Sequence, residues 1–187
     1  MSNLACVELS LESLREGGAE DITLLHCTTS YPCLDEDVNL KAMTTLRDAF
    51  KLNVGYSDHT LGNNVAIAAV ALGACVIEKH FTLDKNMNGP DHKASINPDE
   101  LLQLTTSIRK IEIALGNGVK SITNKESKIS EVVLKRIVAK RAIQKGQVIS
   151  ENDICVKRTD IGLPCNQWDE VIGTVAKNDY EVDDGII

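Results

Sequence analysis

The chain has 187 residues, 43% hydrophobic and 25% charged, which suits one or two folded domains. Its net charge of −7 argues against the basic footprint that broad nucleic-acid binding needs. No apolar stretch is long enough to span a bilayer, so no membrane partner is expected. Aromatic residues make up only 3%, which leaves Leu, Ile, Val and Ala to build the core. The opening MSNLACVELSLESLREGG has neither a basic start nor a continuous apolar run, so no signal peptide is expected. None of the six cysteines forms a CxxC pair, and Cys27 and Cys75 sit in apolar runs as small buried hydrophobes. A reducing, cytoplasmic setting follows.

In chain order, Leu4, Val7, Leu11 and Leu14 recur at helical steps until Gly17 and Gly18 stop the helix. Ile22 to Cys27 reads as a strand, Asp37 to Lys51 as a helix, and NVGYSD as a second strand. Gly62 to Leu72 is an apolar helix expected to be mostly buried, and CVIEKHF is the third strand. Asn97-Pro98-Asp99-Glu100 is a strong helix start, and the apolar repeat after it runs to Gly116. Helices alternating with short apolar strands predict a parallel α/β sheet with both faces covered. The alternation ends near Ser121, well short of the eight units of a closed barrel, which needs about 250 residues.

Asn117 to Ile129 is polar and reads as a linker. RIVAKRAIQKGQVIS then reads as strand, Lys-Gly turn, strand, and Ser150 to Asp153 as a capping box. ICVKRTDIGLPC is a strand running into a long turn. This unit of about fifty residues is mostly β and near the lower size for a self-sufficient core, so it is expected to lean on a partner surface.

The chemistry gathers at strand ends. In a barrel, residues at the carboxyl ends of strands line the site. The first strand offers Thr28, Thr29 and Tyr31, the second Ser57, Asp58 and His59, the third Glu78, Lys79 and His80. Asp91 and His92 follow in the loop GPDHKAS. A lone histidine is more often structural than a ligand, but two at matching strand ends can meet, and two imidazoles with a carboxylate suit a divalent transition metal. Each remaining residue also has a plainer role. Glu78 could be an acid paired with a lysine, Tyr31 before Pro32 could close a turn, Ser57 could cap a backbone group as well as bind phosphate, and Arg158 could simply be solvated. Lys135, Arg136, Lys140, Arg141 and Lys145 read as the outer face of a hairpin rather than a nucleic-acid patch.

HCTTSYP, VGYSDHTLG, ALGACVIEKHFTLD and GPDHKAS resemble the N-acetylneuraminate (sialic acid) synthases and their legionaminate relatives. RIVAKRAIQKGQVISENDICVKR resembles that family's antifreeze-like (SAF) domain. The resemblance runs nearly end to end. It implies the carboxyl-terminal portion of a TIM (β/α)8 barrel, about three βα units, over residues 1–121. A linker at 122–132 and a SAF β-clip domain at 133–187 would follow. It further implies a manganese-type metal (Mn2+, with Mg2+ or Co2+ as alternatives) on His59 and His80, bound to the aldehyde oxygen of an N-acetylated amino sugar such as N-acetylmannosamine. Phosphoenolpyruvate would attack that aldehyde through its methylene carbon, water would add, and phosphate would leave by C–O cleavage. Glu78, His80 and Asp91 would serve catalysis, with Thr29, Tyr31 and Ser57 at the substrates. Arg158 would reach the sugar of the other subunit in a domain-swapped homodimer. Two departures stand out: Thr29 replaces an expected Asn, and Thr159-Asp160 replaces Pro-Gly after Arg158.

The family's amino-terminal strands, with a glutamate and phosphoenolpyruvate-gripping lysines, have no counterpart here; Met1 to Leu4 corresponds to the segment just after the fifth strand. The enzyme reading therefore expects a truncated synthase, neither stably folded nor active alone, because three strands leave apolar edges exposed. A second reading is a binding and assembly module that completes a site with a separate amino-terminal half. A third, another metal-dependent barrel such as an aldolase, leaves the attached β unit unexplained.

Overall fold

The computed structural model describes residues 1–187 apart from the side chains of Glu131 and Val132. It divides into two compact units, Met1–Val119 and Lys120–Ile187. No helix among the described residues is long and apolar enough to cross a membrane.

In the first unit, α1 (Leu4–Glu16) begins where the Asn3 side chain accepts from the Cys6 backbone N–H. Only Leu11 of its apolar stripe is buried; Leu4 and Leu14 stay 44% and 48% exposed. The spacing was thus enough to form the helix but not to bury its face. β1 (Thr23–Cys27), β2 (Asn53–Asp58) and β3 (Ile77–Lys79) pair side by side, all parallel, with β2 central. The expected helix over Asp37–Lys51 is broken: α2 (Asp35–Val38) ends at Asn39, whose φ of 48° is left-handed, before α3 (Lys41–Phe50) starts. Asn visits that conformation more readily than most non-glycine residues.

α4 (Asn64–Ala71) buries Ala66, Ala69 and Val70 but leaves Leu72 at its end exposed, so its apolar composition overstated its burial. Cys75, also expected to be buried, is exposed. α5 (Pro98–Leu115) starts as the sequence predicts: Asn97 accepts from the Glu100 N–H, and Glu100 accepts from the Asn97 N–H, both at 2.9 Å. Cys33, Val38, Met43, Val54, Tyr56 and Ala69 form one core cluster of this unit, and Ala66, Ile96 and Leu104 another.

Gly55 lies where β2 is squeezed between its neighbours. A Cβ there would sit 2.5 Å from both the Val76 carbonyl oxygen and Leu25 Cδ2. The Val76 oxygen cannot move away, since it accepts the Tyr56 N–H at 2.9 Å.

In the second unit, residues 124–133 form a helix, α6 (Asn124–Val133), where the sequence reading placed a linker. Thr123 and Glu126 cap it reciprocally, an S/T-x-x-E signature hidden by the polar composition around it. The expected hairpin across the Lys-Gly turn does not form. Instead β4 (Lys135–Ala139) pairs antiparallel with β5 (Ile154–Arg158). Gly146 does turn the chain, with φ of 87°, but Ile143 and Val148 bridge to Tyr180 and Val175. Long-range pairing displaces the local hairpin because it closes a core of Ile137, Ile143, Ile149, Ile154 and Tyr180. α7 (Trp168–Val171) contributes Val171 to the same core.

Asp153 anchors this unit. Buried, it accepts from the Ser150 hydroxyl and backbone N–H and from Arg141. These bonds, the Ser150 hydroxyl first, pull its carboxyl from an ordinary 3.8 to about 2.

Two stability outcomes follow. Gly55→Ala should destabilise the first unit by about 3 kcal/mol, read as a lower denaturant midpoint, since backbone must shift. Asp153→Ala should cost the second unit roughly 2 kcal/mol at neutral pH. The parent's own Asp153 contribution, full above its ordinary 3.8, should fade as pH falls towards about 2. Circular-dichroism melts against pH in parent and variant would check it, the gap between them closing in acid.

Candidate active site at the strand ends

His59 follows the last residue of β2, and His80 follows the last of β3. In the parallel register Ser57 lies opposite both Cys27 and Glu78, and Asp58 lies opposite Lys79. Side chains alternate along a strand, so Ser57, His59, Glu78 and His80 share one face while Asp58 and Lys79 take the other. The two imidazoles meet there, ring centroids 5.3 Å apart and close to perpendicular. Tyr31 packs beside them, 4.1 Å from the His59 ring and 5.3 Å from that of His80.

The His59 ring is oriented from behind. Its Nδ1 lies 2.9 Å from the Thr28 carbonyl oxygen, which can only accept, so the proton sits on Nδ1 and Nε2 keeps a lone pair. This is the usual support of a metal-ligating histidine. The backbone on each side is fixed as well: the His59 carbonyl accepts from the Cys33 N–H and the His80 carbonyl from the Ile96 N–H. Among the described residues no three His, Cys, Asp or Glu side chains converge as a metal cluster. The chain presents two imidazoles side by side rather than a closed cage of donors.

The remaining expected residues divide. Ser57 is buried and donates to Glu78 Oε1 at 2.7 Å, so Glu78 joins the histidine face through Ser57. Glu78 is exposed and is not paired with the neighbouring lysine; that lysine, Lys79, instead meets Asp58 at 2.8 Å. Asp58 and Lys79 were read as lining the site and are turned away from it, because alternation sends them to the helix-packed side. Thr29 lines a cavity of 610 Å³ beside α1 and α3, together with Asn3 and Lys41. Asp91 is tied through its carbonyl, which accepts the N–H and hydroxyl of Ser95. His92 Nδ1 contacts Thr82 Oγ1 at 2.8 Å. Arg158 closes β5 in the second unit, opposite Lys135.

Residues 1–120 match the model of the NeuB family, and residues 136–186 match the SAF domain. The chain belongs to the NeuB family. It is 52% identical to the N,N'-diacetyllegionaminic acid synthase of Campylobacter jejuni, over 98% of this chain and 56% of that protein. It is 38% identical to the human N-acetylneuraminate-9-phosphate synthase, over 87% of this chain and 46% of the relative. The crystal structure of an N-acetylneuraminic acid (sialic acid) synthetase from Leptospira borgpetersenii matches with a TM-score of 0.63 at 34% identity, covering 70% of this chain and 46% of that one. The chain thus spans about half the length of the curated relatives it matches. Within the family, the three parallel βα units are of TIM-barrel type and the antiparallel unit is the SAF domain.

Close to the histidines, burial first, then Asp37 and Asp58, push the Cys33 thiol up from its ordinary value. Cys33 should therefore resist alkylation at pH 8, while exposed Cys6 and Cys75 react about tenfold faster or more, as peptide mass mapping after iodoacetamide would show.

Proposed function

We propose that the chain carries the amino-sugar side of a nonulosonic acid synthase site, in which phosphoenolpyruvate condenses with an N-acetylated amino sugar such as N-acetylmannosamine. The products are a nonulosonic acid and phosphate. A C–C bond forms between the methylene carbon of phosphoenolpyruvate and the aldehyde carbon, water adds at the neighbouring carbon, and phosphate leaves by C–O cleavage. The observation that carries this reading is the meeting of His59 and His80 at two parallel strand ends, His59 with its Nε2 lone pair free. These donors fit a divalent ion, Mn2+ by preference, with Mg2+ or Co2+ as alternatives. Such an ion supplies Lewis acidity towards an aldehyde oxygen.

The chain's own groups then have definite tasks. Tyr31 packs against both imidazoles. Ser57 can donate to a phosphate oxygen once its hydroxyl rotates off Glu78. Glu78, released from Ser57, can take a proton. Asp91 and Thr29 address the sugar, and Arg158 does so for a second copy in a domain-swapped homodimer. Family membership and relatives named as synthases of legionaminic acid and N-acetylneuraminate 9-phosphate support the substrate class.

A second reading rests on the sheet. Neither β1 nor β3 has an outer strand beside it among the described residues, and Leu25 on β1 is 39% exposed. In that reading the chain is an assembly module whose open edges are covered by a separately encoded amino-terminal half.

The experiment is calorimetric Mn2+ titration of the chain, with phosphate release measured alone and with such a half. The proposal expects Mn2+ binding that His80→Ala reduces about 100-fold or abolishes, no phosphate release by the chain alone, and phosphate rather than pyruvate as product wherever the site is complete. Pyruvate release from a nonulosonic acid, without phosphoenolpyruvate, would mark an aldolase, and unchanged Mn2+ binding by His80→Ala would remove His80 from the site. Phosphate release only after mixing would select the assembly reading.

A further inference from the structure

On the helix-packed side of the sheet, behind the histidines, Asp58 and Lys79 form an ion pair with side chains 0% and 4% exposed. Burying two charges is seldom more stabilising than burying apolar residues of the same volume. Stability therefore gives a poor account of this pair, and its connections give a better one.

Asp58 Oδ1 accepts from the Thr60 backbone N–H at 2.8 Å and from the Thr60 hydroxyl at 2.7 Å. That closes an Asx turn with His59 at its centre. Lys79 Nζ donates to Asp58 Oδ2 at 2.8 Å and to the Thr60 carbonyl at 2.7 Å. Asp58 and Thr60 flank His59, and Lys79 immediately precedes His80. The three side chains thus tie the backbone around one histidine to the strand that presents the other. Thr60 is fully buried, so water does not compete for these bonds.

We infer that Asp58, Thr60 and Lys79 are positioning residues that hold the His59 ring with Nδ1–H on the Thr28 carbonyl and Nε2 free for a ligand. The inference depends on the metal reading above only for its Mn2+ measurement. A ring held from the turn behind it keeps one tautomer and one orientation; a ring on a loosened turn samples both nitrogens against Thr28.

The experiment takes the full chain, ¹⁵N-labelled, and records the long-range ¹H–¹⁵N correlations of the His59 ring, which report its tautomer, together with Mn2+ affinity by calorimetry. The double variant Asp58→Asn/Lys79→Met removes both charges and keeps side-chain volume. It should keep the parent's circular-dichroism spectrum, show mixed His59 tautomers, and weaken Mn2+ binding about tenfold or more. Thr60→Val is a milder probe, lacking one hydroxyl, and should weaken binding about threefold with partial loss of the single tautomer. Thr60→Ser should restore parent behaviour in both readings. Should the double variant fail to fold, the two Thr60 variants decide by the same measurements. Folded variants with the parent tautomer signal and affinity within about twofold would overturn the inference. A parent chain that binds no Mn2+, yet whose tautomer is lost in the variants, would sink the metal reading and leave the positioning role standing.

Discussion

The register between β2 and β3 is the constraint on which the site depends. Ser57 sits opposite Glu78 and Asp58 opposite Lys79, and the alternation of a pleated strand does the rest. One residue of slip would send the histidines into the helix layer and bring the Asp58–Lys79 pair out to the open face. The apolar partners of that layer, Val54, Tyr56, Met43 and Ala69, oppose such a slip. Packing on one side of the sheet therefore decides what chemistry is displayed on the other.

The displayed chemistry is economical. His59 is oriented by a carbonyl it cannot protonate, His80 stands at right angles to it, and Tyr31 packs against both. Two imidazole donors side by side are of the kind that suits a divalent transition metal. The SAF unit is built differently. Its antiparallel strands and turns close over an aliphatic core, and Asp153 ties its own turn, capped at Ser150, to Arg141.

Much of this was legible in the residues. The capping box at Asn97 and Glu100 was readable because a cap is a local matter of four residues. The strand-end histidines were readable because short apolar runs ending in SDHT and EKHF repeat one pattern. The helix at 124–133 was hidden, since its polar composition outweighed the Thr123–Glu126 cap that starts it. The hairpin expected across Gly146 failed for the opposite reason: a good local turn lost to bridges with residues 175 and 180, in which Ile143 and Tyr180 join the core.

The sequence by itself determined the alternation of helices and short strands, the two-unit organisation and the presence of two histidines at matching strand ends. Periodicity and capping are properties of neighbouring residues, so they can be read without coordinates. Only the tertiary structure decided which carboxylate meets which partner. Glu78 turned to Ser57, and Lys79 to Asp58. Those choices follow from cross-strand register and burial, which join residues about twenty apart and leave no trace in local spacing.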